Sequence, residues 1–195
     1  MSSPSGATPF VGRQRELARL LERLDTARQG QGGVALVVGE PGIGKTRLLV
    51  ELSRRARAAG WQVLAGRAYE TEGMPPYLPF AEALRDYLRD APLDELLEQL
   101  GDRAAEVALI TPEVRRRLPD LPASQSLSPE QERYRLFEGV ADFLLALAQF
   151  AERPGLLLVL DDLQWADRPT LLLLQHLARR LANVPLAGGR RLSHN

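Results

Sequence analysis

Residues Gly39-Glu40-Pro41-Gly42-Ile43-Gly44-Lys45-Thr46 constrain this chain more than any other stretch. Their spacing is G-x-x-x-x-G-K-[ST]. An apolar run, Val34-Ala35-Leu36-Val37-Val38, precedes them. A helical pattern of Leu48, Leu49, Leu52, Ala56 and Ala59 follows and is closed by Gly60. Strand, glycine loop and helix in that order are the context of a phosphate-binding loop. Backbone N–H groups must converge on phosphate oxygens, and side chains at Gly39, Gly42 or Gly44 would obstruct that approach. The helix that begins there turns its N-terminus toward the anion. Lys45 reaches the β- and γ-phosphates as a thin point charge, and Thr46 offers a hydroxyl to Mg2+. The candidate cradle is therefore Gly39, Glu40, Pro41, Gly42, Ile43, Gly44, Lys45, Thr46 and Arg47. Of the 25 basic residues, Lys45 is the only lysine. It stands where a planar guanidinium would fit poorly.

The 195 residues suit one domain with a core of its own. Basic and acidic residues balance to a formal net charge of zero, so the charge gives no case for nucleic-acid binding. Without cysteine there is no disulfide and no thiolate metal site. No apolar run is long enough for a transmembrane helix, and the Ser/Pro-rich start lacks a signal-peptide pattern. A cytoplasmic protein with no membrane contact is the expectation.

Residues 1–9 read as a flexible tail. Leu17, Leu20, Leu21 and Leu24 form the stripe of an amphipathic helix stopped at Gly30. Val34–Val38 reads as a buried strand. Trp61 to Arg67 reads as a second strand, so residues 34–67 are expected to form a βαβ unit with parallel strands. Proline-rich loop follows to Pro79, then helices around Phe80–Leu88, Asp94–Leu100 and Arg103–Ile110. Arg115-Arg116-Arg117 reads as a solvated helix face or, alternatively, a binding patch. Ala123–Leu127 reads as a loop. Ser128-Pro129-Glu130-Gln131 has the form of a capping box opening a helix that runs to about Phe150. Leu156–Leu160 is an uninterrupted apolar strand that delivers Asp161 and Asp162. Asp167 is the expected N-cap of a last helix with Leu171, Leu174, Leu177, Ala178 and Leu181 facing in. Strands without alternation imply a parallel sheet covered on both faces. The fold class is α/β, a doubly wound parallel sheet with a helical insertion.

An apolar strand ending in acids, at the strand end where α/β sheets bind ligands, supplies the second half of a site. Asp161 would hold Mg2+, and Asp162 would orient or deprotonate the attacking water.

Phe10-Val11-Gly12-Arg13 with Glu16-Leu17, the loop Gly39–Thr46 and Asp161-Asp162-Leu163-Gln164-Trp165-Ala166-Asp167 together resemble the P-loop ATPase module of the AAA+/STAND superfamily. More narrowly, they are similar to that module in large LuxR-type transcriptional regulators and cyclase-linked regulators. The resemblance covers residues 10–185. It implies that Val11, Gly12 and Arg13 lie near the adenine. By residue type alone, Val11 is equally a core residue and Arg13 a surface residue at a helix start. Trp165 is either a packing aromatic or a residue near the phosphates. The resemblance also implies a further strand, between the P-loop strand and the Asp161 strand, beyond Pro185. Residues 186–195 read instead as an irregular tail. The expectation is a P-loop NTPase fold incomplete at its C-terminus and of marginal stability.

The function that follows is a regulatory switch binding ATP or ADP with Mg2+, with slow or no hydrolysis, acting on an effector domain or protein outside this chain. Two other classes stand beside it: an active P-loop phosphotransferase, and a non-catalytic remnant that serves only as an interaction surface. No arginine finger is identifiable; Arg168 and the Arg179-Arg180 pair are guesses.

Overall fold

The computed structural model describes residues 12–121, 128–150 and 153–183. The expected tails, Val11, and the loop Ala123–Leu127 lie outside the described residues. Among the described residues the first element is α1 (Gln14–Arg28), whose Leu17 is buried while Leu20, Leu21 and Leu24 pack at its edge. The glycine loop leads into α2 (Lys45–Ala58), which buries Leu48, Leu52 and Ala56. Strand β1 (Gln62–Arg67) follows.

The insertion is helical, as its pattern indicates. It comprises α3 (Leu78–Asp90), α4 (Leu93–Leu100), α5 (Ala104–Val107) and α6 (Pro112–Arg117). Then come α7 (Pro129–Gln149), β2 (Leu156–Asp161) and α8 (Arg168–Asn183). The capping box forms in full: Gln131 N donates to Ser128 Oγ, and Ser128 N donates to Gln131 Oε1. Asp167 caps α8 by accepting from Thr170 N at 2.7 Å.

Strands β1 and β2 pair in parallel, from Gln62 opposite Leu156 to Arg67 opposite Asp161. Alternate residues serve two cores. Leu64, Leu156, Leu158 and Leu160 face the large core of α3, α4, α7 and α8, which includes Phe80, Leu84, Leu88, Val140 and Phe143. Val63 and Leu157 face the smaller clusters made with α1 and α2. Helices therefore cover both faces, which explains why these strands carry no polar alternation. Burying a side chain such as Phe80 or Leu84 contributes about 1.5–3 kcal/mol relative to leaving it exposed.

Two expectations need correction. Val34–Val38 is not a strand, so residues 34–67 do not form the βαβ unit expected of them. None of the described backbone hydrogen bonds engages it, and the sheet among the described residues has two strands. Leu36 and Val38 are 72% and 85% exposed. Val37 alone of the segment packs inward, against Leu17, Leu48 and Leu52. The inward face of α8 is also different. Leu173 and Leu177 are buried, whereas Leu171 is exposed. Four successive leucines, 171–174, leave the helical phase undetermined until α7 and α3 are in place.

The Arg115–Arg117 run is partly structural. Arg117 donates to the carbonyls of Leu88, Arg89 and Ala91 at 2.8–2.9 Å, closing the end of α3. Arg116 pairs with Glu113 on its own helix.

Candidate functional site

The C-terminal ends of β1 and β2 and the N-terminus of α2 meet at one place. Thr46, in the first turn of α2, donates from Oγ1 to Asp161 Oδ2 at 2.7 Å. This bond joins the two motifs across 115 residues of sequence. Lys45 Nζ donates to the carbonyls of Gly39 and Glu40, both at 2.9 Å, so its charge sits over its own loop. Gly42 and Gly44 have φ of 78° and 89°, the left-handed region in which glycine is unstrained. Open space lies where their Cβ atoms would stand. A Cβ on Gly39 would meet Ile43 Cγ2 at 3.1 Å and Arg13 Nη2 at 3.9 Å. Arg13, at φ 54° before α1, thus reaches the start of the loop. Gly12 beside it has φ 82° and is exposed.

Asp162 also adopts a left-handed conformation, φ 54°. Its N–H donates to Asp161 Oδ1 at 2.9 Å. Its own Oδ2 accepts from Arg67 Nε at 2.7 Å and from Arg67 Nη2. Its Oδ1 accepts from Gln164 Nε2 at 3.2 Å. The Arg67 guanidinium holds the Asp162 carboxyl below the usual carboxylate range. Gln164 and the charges of Arg67 and Lys45 act in the same direction. Asp162 in turn raises Arg67. Trp165 is exposed. Arg180, one of the guessed finger residues, is bound to Glu138 and Asp142.

The residues present fit a nucleoside triphosphate with Mg2+. The loop is open and glycine-lined, one ammonium is within reach of it, and a hydroxyl and a carboxylate already touch. Mg2+ keeps several waters and takes one or two protein oxygens besides phosphate, so Thr46 and Asp161 suffice as its protein donors. Among the described residues no cluster of three or more His, Cys, Asp or Glu could hold a metal alone. A cleft of about 280 Å³ lies elsewhere, against Gln62–Ala65 of β1 with Arg57, Glu82, Asp86 and Tyr87. It runs along β1, and Glu82 of its lining also accepts from Arg67 N.

The structure thus brings together Lys45, Thr46, Asp161, Asp162 and Arg13. Val11 lies outside the described residues. Arg67 was missed by motif reasoning. Its place follows from the β1–β2 register, which sets Arg67 opposite Asp161.

A family model described as an AAA ATPase domain matches residues 9–188. The curated protein "Uncharacterized protein R02095" of Rhizobium meliloti (strain 1021) is 28% identical over 192 residues, covering 91% of this chain. The chain spans 18% of that relative's length. No solved structure matches significantly. No helix among the described residues is long and apolar enough to cross a membrane.

Proposed function

The chain belongs to the AAA ATPase domain family, and on that premise we propose that it is a nucleotide-dependent switch, binding ATP or ADP with Mg2+ and hydrolysing slowly or not at all. The observation that carries the reading is the 2.7 Å bond from Thr46 to Asp161, which unites the glycine loop with the acidic strand end. The backbone N–H groups of Gly42–Thr46, at the N-terminus of α2, hold the phosphates. Lys45 leaves the carbonyls of Gly39 and Glu40 to neutralise β- and γ-phosphate charge. Arg47, in the first turn of α2, belongs to the same cradle. Thr46 and Asp161 hold Mg2+, which supplies charge neutralisation at the phosphate oxygens. Gly12 and Arg13, with Val11, contact the base side of the nucleotide; the approach of Arg13 to Gly39 supports this for Arg13.

Slow turnover follows from Asp162, whose two carboxylate oxygens are both engaged. A switch of this kind acts on an effector in a larger assembly, and the much greater length of the curated relative supports such a context. A cytoplasmic setting accords with ATP as ligand. The test is a titration of MgATP and MgADP against wild type and Lys45→Ala, with phosphate release followed in parallel. Binding lost in Lys45→Ala, with little release from wild type, is expected. Equal weak binding by both proteins refutes the reading, and rapid turnover by wild type moves it to an active phosphotransferase.

A further inference from the structure

Strand β1 has one paired edge and one open edge. Along a strand the N–H and C=O of one residue point to the same side, and successive residues alternate. Gln62 N donates to Gly155 O and Ala68 N to Asp161 O, so the even-numbered positions face β2. Arg67 N turns the other way and donates to Glu82 Oε2 of α3 at 3.2 Å. Val63 and Ala65 therefore present their N–H and C=O groups at the outer edge, where no strand among the described residues pairs with them. The register with β2 is regular, and Val63-Leu64-Ala65 carries no proline, charge or bulge of the kind that blunts an edge strand. The cleft of about 280 Å³ follows this edge. Its two walls differ. Val63 packs with Ala56 of α2, and Arg57 of α2 stands on that side. Leu64 packs with Phe80 and Leu84 of α3, and Glu82 and Asp86 stand on that side.

We propose that the open edge of β1 takes an extended, basic segment of a partner protein as an added strand. Main-chain hydrogen bonds to Val63 and Ala65 hold the segment, and its side chains select it. Side chains of a strand alternate between the two faces, so one set falls beside α3 and the other beside α2. Glu82 and Asp86 are four residues apart on α3, about 6 Å along its axis. Residues two apart on a strand are separated by about 6.6 Å. Two basic residues at alternate positions therefore match the two carboxylates. Glu82 receives Arg67 N and Tyr69 OH on Oε2, which leaves Oε1 without a partner among the described residues. The Asp86 side chain is 80% exposed and shares Arg89 with Asp90. An exposed pair of that kind contributes little and yields to a second cation. Arg57 is exposed and has no described partner, so it favours an acidic or hydroxyl side chain between the two basic ones. The docking needs no nucleotide.

The test is fluorescence anisotropy of the full chain with the fluorescein-labelled peptide Thr-Arg-Thr-Arg-Thr. The same peptide with glutamate at both arginine positions is the charge control. Two further peptides carry N-methyl groups on alternate backbone nitrogens, in complementary sets. Saturable binding of the arginine peptide is expected, and it weakens as salt screens the exposed charges. The glutamate peptide binds roughly 10-fold more weakly or worse. One methylated set loses binding and the other stays within about twofold, because alternate nitrogens face β1. Ala65→Pro removes an edge donor at a position where an edge strand tolerates proline, and it is expected to weaken binding roughly 10-fold or more. Glu82→Gln/Asp86→Asn weakens it roughly 5-fold and carries the test if Ala65→Pro does not fold. No saturable binding, equal binding by the two methylated sets, or binding indifferent to both protein variants overturns the proposal. Sedimentation of the chain alone covers the remaining outcome. A dimer that Ala65→Pro dissolves and the arginine peptide does not displace gives the edge to a second copy of this chain and overturns the proposal as well.

Discussion

Replacing Gly66 with alanine tests the contact on which both core and site depend. A Cβ there would stand 1.8 Å from Pro79 O, 2.8 Å from Pro79 C and 3.1 Å from Ala83 N. Carbon–oxygen contacts settle near 3.3 Å, so β1 and α3 must part by roughly 1.5 Å. The obstacle is backbone, and no rotamer change relieves it. The helix that must move carries Phe80, Leu84 and Leu88, all fully buried. Overpacking costs about 1–3 kcal/mol when side chains give way, and a rigid backbone obstacle places this case at about 3 kcal/mol or more. For a chain of this size each kcal/mol shifts the melting temperature by about 2–4 °C, so a fall of roughly 6–12 °C is expected by circular dichroism. Gly73→Ala is the control. Gly73 has φ 77° and nothing near its would-be Cβ, so only the left-handed strain of about 1–2 kcal/mol applies. A Gly66→Ala protein that melts no lower than Gly73→Ala would refute the reasoning.

Two further predictions concern the scaffold. Arg117→Ala removes the guanidinium whose two terminal nitrogens bond the carbonyls of Leu88, Arg89 and Ala91 and is expected to cost about 1–2 kcal/mol in urea unfolding, with Arg117→Lys recovering only part; an unchanged midpoint contradicts the capping role. Glu51 is lowered from 4.5 to about 2, first by hydrogen bonds from Arg54 and then Arg55. A depressed carboxylate stabilises the fold above its unfolded pKa and loses that contribution as pH falls through its folded value. The stability difference between wild type and Glu51→Gln should therefore be constant above about pH 4.5 and vanish toward pH 2; a difference that grows on acidification contradicts this.

Local chemistry made much of the fold legible. The capping box at Ser128 and the N-cap at Asp167 depend on residues three positions apart, and both form. The apolar run Leu156–Leu160 was legible because both of its faces pack against apolar clusters. Val34–Val38 is equally apolar but has no neighbour to pair with among the described residues, and composition does not report neighbours. The Arg67–Asp162 pair lay beyond motif reading for a related reason. The two residues are 95 positions apart, and only the β1–β2 register makes them adjacent. The candidate cradle could be named from the sequence because its glycines, lysine and threonine are contiguous. The Thr46–Asp161 bond that completes it is a tertiary fact.

That bond marks the most direct test. ATP affinity is measured for wild type and Asp161→Asn across a series of Mg2+ concentrations. Wild type is expected to bind more tightly as Mg2+ rises. Asp161→Asn should lose most of that tightening, about 10-fold or more, while its affinity without Mg2+ stays near that of wild type. Equal Mg2+ dependence in the two proteins would contradict the assignment of Thr46 and Asp161 to one metal–nucleotide site.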